Sequence, residues 1–146
     1  VEGRDIAPLS EASLLLVRRT IGMVFQGSAL FDSMTVGENV AFALREHTDL
    51  PEARIAERVK TVLEWLGLPG TEALDPAALS GGMRKRVAMA RAIALPPWII
   101  LFDEPTTGLD PATVEKITDL ILALKRRLGT VGPLAPGEPD MSRDLP

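Results

Sequence analysis

The chain has 146 residues, 46% of them hydrophobic and 25% charged, which is long enough to bury one core. Its 16 Lys and Arg against 20 Asp and Glu leave a net charge of -4, which denies it the basic footprint of a nucleic-acid binder. It has no cysteine, so disulfides and thiolate zinc sites are excluded, and no apolar run approaches the roughly 20 residues of a bilayer span.

Residues 1–6 suit the end of a strand or hairpin, and they lack the basic-then-apolar pattern of a signal peptide. The first residue is Val rather than Met, so the natural start is expected further upstream. Ser10 is a fair N-cap for a short helix through about Arg18, with Leu14, Leu15 and Leu16 as an apolar patch. Residues 20–26, TIGMVFQ, are β-branched and apolar between Arg19 and Gly27-Ser28, which predicts a buried strand.

Thr35-Val36-Gly37-Glu38 fits a capping box, and the helix it opens would turn Val40, Ala43 and Leu44 inward. After Pro51 a second amphipathic helix places Ile55, Val59, Val62, Leu63 and Leu66 on one face, with Gly67 as the residue that ends it. A third follows Ser80-Gly81-Gly82, carries Met83, Val87, Ala90 and Ala94 at helical spacing, and stops at Pro96-Pro97. Residues 98–102, WIILF, form a continuous apolar run, which predicts a strand covered on both faces as in parallel sheets.

Asp110-Pro111 reads as a cap followed by an N1 proline. The last helix then runs through Val114, Ile117, Ile121, Leu124 and Leu128, with Lys125, Arg126 and Arg127 at the negative end of its dipole. Residues 130–146 hold several Pro and Gly without periodicity and are expected to be a disordered tail.

Two places carry chemistry. The strand WIILF delivers Asp103-Glu104 to the carboxyl edge of the sheet, where α/β proteins bind ligands. One such acid can hold Mg2+, usually through water, and its neighbour can orient or deprotonate an attacking water. The pair alone is equally a solvated acidic turn. Ser80-Gly81-Gly82 before a helix offers first-turn amides and a dipole to an anion, and alone is equally a flexible N-cap. The cluster Arg84-Lys85-Arg86 reads as a solvated helix face, and His47 as a surface or helix-end histidine.

In combination these segments resemble a known family. LSGGMRKRVAMARAIALPPWIILFDEPTTGLDP, residues 79–111, resembles the signature motif, Walker B strand and D-loop of ABC ATPases in order and spacing, and Gln26 matches the Q-loop glutamine upstream. The resemblance implies ATP and Mg2+ as cofactors, with Asp103 supporting Mg2+ and Glu104 as the base that activates water. It implies that Gln26 senses Mg2+ and the γ-phosphate, and that Ser80, Gly81 and Gly82 clamp the γ-phosphate held by a second ATPase subunit. Asp110 would meet that subunit across a head-to-tail interface. GSALFDSMTV after the glutamine is similar to the ATPases of bacterial Mce-linked, lipid-asymmetry transporters. That implies a transmembrane permease, a periplasmic lipid-binding Mce-type component, and a peripheral place on the cytoplasmic face of the bacterial inner membrane.

The expected fold is α/β, a partial P-loop NTPase fold at residues 1–129, with a helical signature subdomain over about 35–95 and an incomplete parallel sheet. The sequence contains no GxxxxGK[ST], which the resemblance places upstream of Val1. Where the family carries a further strand and a switch histidine, the chain reads LGTVGPLAPGEPDMSRDLP, which is expected to mark a frameshift or an assembly artefact. The chain alone is therefore expected to fold poorly and to be inactive, with an exposed apolar sheet edge. The alternatives are a non-catalytic fragment that pairs with an intact ABC subunit, and a soluble ABC ATPase outside transport.

Overall fold

The computed structural model describes residues 10–129. The readings made for residues 1–6, for the Leu128 side chain and for residues 130–146 lie outside the described residues.

The helix α1 (Glu11–Arg19) begins where Ser10 Oγ accepts from the Ser13 N–H at 3.3 Å, as the cap signal predicts. It buries no residue, and Leu15 and Leu16 are exposed. The strand β1 (Ile21–Val24) follows at once. The capping box at α2 (Val36–His47) is complete: Thr35 Oγ1 accepts from the Glu38 N–H, and Glu38 Oε2 accepts from the Thr35 N–H at 2.8 Å. Then α3 (Glu52–Trp65) ends at Gly67, whose φ of +66° is the left-handed conformation that glycine adopts without strain.

A 3-10 turn (Pro76–Ala78) leads into α4 (Gly81–Ala94), the strand β2 (Ile99–Phe102) and α5 (Pro111–Gly129). The core lies among α2, α3 and α4. Val36, Val40 and Leu44 meet Ile55, Val59, Val62, Leu63 and Leu66, and α4 contributes Val87, Met89, Ala90 and Ile93 between them. Ile117 and Leu124 attach α5 to the same cluster.

The two strands pair in parallel, Ile21 with Ile99 through Val24 with Phe102. Gly22 is needed where α4 crosses β1, since a Cβ there would lie 2.5 Å from the Ala92 carbonyl oxygen. The expectation of strands covered on both faces is corrected. Gly22 and Val24 are buried while Met23 between them is exposed, and Ile99 and Leu101 are exposed while Ile100 and Phe102 are half-buried. The reason is that α4 covers one face only, and Leu101 keeps 49% of its surface on the other. Trp98, just before β2, is 54% exposed.

Candidate functional site

Both parallel strands point their carboxyl ends the same way, so the residues after Val24 and Phe102 emerge side by side. The Asp103 N–H extends the ladder by donating to the Val24 carbonyl at 2.9 Å. One residue on, Glu104 adopts a φ of +44°, a left-handed conformation that an L side chain takes only when its surroundings hold it. Its carboxylate is fixed from two sides: Gln26 Nε2 donates to Glu104 Oε2 at 3.1 Å, and Thr107 Oγ1 donates to the same oxygen at 2.9 Å. Gln26, Asp103 and Glu104 are all exposed, so the constellation faces solvent and is open to a ligand.

The loop after β1 is held against α4. Arg91 donates to the carbonyls of Ala29 at 2.7 Å and Ser28 at 3.3 Å, and its guanidinium sits 5.7 Å from the Phe31 ring centroid. Ser28 and Ala29 both have positive φ, so these bonds stabilise a turn that the residue types alone disfavour. Further along, the buried Asn39 side chain accepts from the Phe31 N–H at 2.8 Å and donates to the carbonyls of Phe31, Met34 and Thr35.

The reading of Arg84-Lys85-Arg86 as a solvated face is corrected. Lys85 is buried, 5% exposed, with Nζ donating to the Gln26 carbonyl and, at 3.4 Å, to the Glu104 carbonyl. Burial holds the Lys85 ammonium below its ordinary pKa, opposed by the nearby charges of Asp103 and Glu104. Arg86 is half-buried and donates to the carbonyls of Leu66 and Gly67 at the end of α3. The signal was present in the sequence: Lys85 shares a helical face with Ala88, Met89 and Ala92, and a lone cation on an apolar stripe points to a buried polar partner.

A second cluster sits at the N-terminus of α4. Ser80 Oγ accepts from the Met83 N–H at 3.2 Å, and Ser80 and Gly81 are exposed. Gly82 abuts the next helix, where a Cβ would lie 2.8 Å from Thr113 Cγ2, whereas one on Gly81 would make an ordinary 3.8 Å contact with Leu109. Asp110 caps α5: Oδ2 accepts from the Thr113 N–H at 3.0 Å and Oδ1 from the Thr113 hydroxyl at 2.6 Å. These bonds from Thr113 hold the Asp110 carboxyl below the usual carboxylate range. So the fold brings Gln26, Asp103 and Glu104 into one group, and Ser80, Gly81, Gly82 and Asp110 into another. Lys85 stands five residues beyond Ser80 on the helix between them, about 7.5 Å along its axis. His47 closes α2 at the surface, away from both groups' hydrogen bonds, in line with its surface reading.

The donor set fits a hard divalent cation. Two carboxylates and an amide at one sheet edge offer oxygen, and Mg2+ is commonly held by one or two carboxylates with phosphate and water completing its shell. Among the described residues no three His, Cys, Asp or Glu gather as a metal cage. No helix among the described residues is long and apolar enough to cross a membrane.

A family profile for ABC transporters matches residues 1–107. The chain is 50% identical over 127 residues to the intermembrane phospholipid transport system ATP-binding protein MlaF of Haemophilus influenzae, covering 87% of this chain and 48% of that protein. It is 43% identical over 146 residues to the methionine import ATP-binding protein MetN of Mannheimia succiniciproducens, covering 99% of this chain and 42% of that one. The dimeric ATP-binding cassette MJ0796, solved in a post-hydrolysis state with ADP and Pi, matches with a TM-score of 0.75 at 34% identity, over 90% of this chain and 57% of that chain. The chain spans about half the length of the curated relatives it matches. It belongs to the ABC transporter family, and its helices and parallel strand pair are part of that family's P-loop NTPase fold.

Proposed function

We propose that this chain supplies the hydrolytic half of an ATP-hydrolysing subunit in a phospholipid-transporting ABC system. The observation that carries the proposal is the Gln26–Glu104 hydrogen bond, which gathers an amide and two acids at the open carboxyl ends of two parallel strands. Glu104 is the base for the attacking water, Asp103 supports Mg2+ and Gln26 orients the Glu104 carboxylate. Bound with ATP, Mg2+ would neutralise charge on the β- and γ-phosphates. Ser80, Gly81 and Gly82 present first-turn amides and a helix dipole to the γ-phosphate of a nucleotide held by a second ATPase subunit, with Asp110 beside that interface.

The partners in this reading are that second subunit in a head-to-tail dimer, a transmembrane permease and a periplasmic Mce-type lipid carrier. The subunit works at the cytoplasmic face of the bacterial inner membrane. Phospholipid is favoured over methionine because identity is higher to the phospholipid transport relative, 50% against 43%. The test is reconstitution of the full-length subunit with its permease in vesicles. ATP-dependent movement of a labelled phospholipid supports the reading. ATP-dependent methionine uptake, or hydrolysis indifferent to lipid, contradicts it.

A further inference from the structure

The same tie that corrects the reading of Lys85 suggests a role for it. Its partners are main-chain carbonyls on two segments that lie 59 and 19 residues away, the loop after β1 and the turn after β2. A buried ammonium is costly unless its donors are used, so the contact is a built feature and not incidental packing. Main-chain acceptors also have a specific consequence. A bond to the Asp103 or Glu104 carboxylate would neutralise the acids, whereas bonds to the Gln26 and Glu104 carbonyls leave the carboxylates available and fix the backbones beneath them.

We propose that Lys85 is a positioning residue: by holding the Gln26 and Glu104 carbonyls together it sets the spacing across which the Gln26 amide orients the Glu104 carboxylate. Glu104 needs such a hold, because its left-handed φ of +44° would relax toward the ordinary regions if the turn were released. Gln26 needs it as well, since it lies past the end of β1 and outside the strand ladder. The role rests on the hydrolytic reading above.

The experiment compares Lys85→Met, which keeps the length of the side chain and removes its donors, with Lys85→Arg, which keeps charge and donors. Both are made in the full-length protein carrying this segment. Two readouts are taken: steady-state ATP hydrolysis, and amide hydrogen exchange in the nucleotide-free protein. The expected result for Lys85→Met is a kcat lower by about tenfold with KM for ATP within about twofold, since misplaced groups cost rate more than ground-state binding. Exchange rises together at residues 25–29 and 103–107 while α2 and α3 keep their protection, and Lys85→Arg restores most of kcat. Unchanged kcat and exchange in Lys85→Met would overturn the proposal. So would exchange rising throughout the helices with a lowered melting temperature, because that is a purely structural role. A wild-type protein that never hydrolyses ATP sinks the hydrolytic reading instead, and the exchange pattern still decides the tie.

Discussion

Gln26 Nε2 donates to Glu104 Oε2 at 3.1 Å, joining two residues 78 positions apart in the chain. The parallel register makes the contact possible, because Val24 and Phe102 end their strands level with one another. Gln26→Glu replaces the donor by a second carboxylate at the same place. Two acids so close disfavour joint ionisation, so one must hold a proton or both must swing apart. The full-length variant should lose about tenfold in kcat at neutral pH, with the melting temperature unchanged because both groups are exposed. Steady-state kinetics beside thermal melting checks both halves.

The two signature glycines should separate by experiment. A Cβ on Gly82 would meet Thr113 Cγ2 at 2.8 Å, and Thr113 cannot turn away without breaking its 2.6 Å bond to Asp110. Gly82→Ala should therefore destabilise by about 1–3 kcal/mol, the usual cost of overpacking. Gly81→Ala has ordinary space and a helical position, so urea unfolding should show it neutral or stabilised by about 0.5–1 kcal/mol. If Gly81 amide access serves the γ-phosphate, its variant loses ATP turnover without losing stability.

Much of this was legible in the sequence because it is local. The capping box of Thr35 and Glu38, the caps Ser10, Ser80 and Asp110, and the glycine at position 67 each act within one turn of chain, and each stands where its spacing predicts. What resisted reading depends on partners distant in sequence. The apolar stripe around Lys85 signals its burial but not that the Gln26 carbonyl receives its ammonium, and the burial of Arg58 is set by the carbonyls of Ile93 and Ala94 at the end of α4, 2.9–3.0 Å away. The half-exposed faces of β1 and β2 were also illegible, since an apolar run records what a strand is suited to and not which elements stand over it.

Asn39 is a further buried polar residue. It is wholly buried and satisfies one N–H and three carbonyls of the loop before α2. Asn39→Ala takes away the side-chain partner of the Phe31 N–H and the Met34 carbonyl, while the Phe31 and Thr35 carbonyls keep the Met34 and Asn39 N–H groups, so it should cost about 1–3 kcal/mol in urea-induced unfolding. A loss under about 0.5 kcal/mol would mean that the loop finds other partners.

Asp110 gives a prediction in pH. Its folded-state carboxyl is held below the usual range by Thr113, so the cap contributes stability above the ordinary aspartate pKa and loses it as pH falls through the lowered value. Asp110→Ala should melt below the wild type at pH 7, and the gap should close below about pH 4. Melting curves across that range read it directly.

The central claim is that Glu104 activates the water that attacks ATP, and Glu104→Gln in the full-length protein tests it most directly. The variant keeps the shape of the side chain and removes the base, so nucleotide binding should persist while turnover falls by about 100-fold or more. Hydrolysis by Glu104→Gln at the wild-type rate would contradict the account, and the strand-end acids would then be a structural turn.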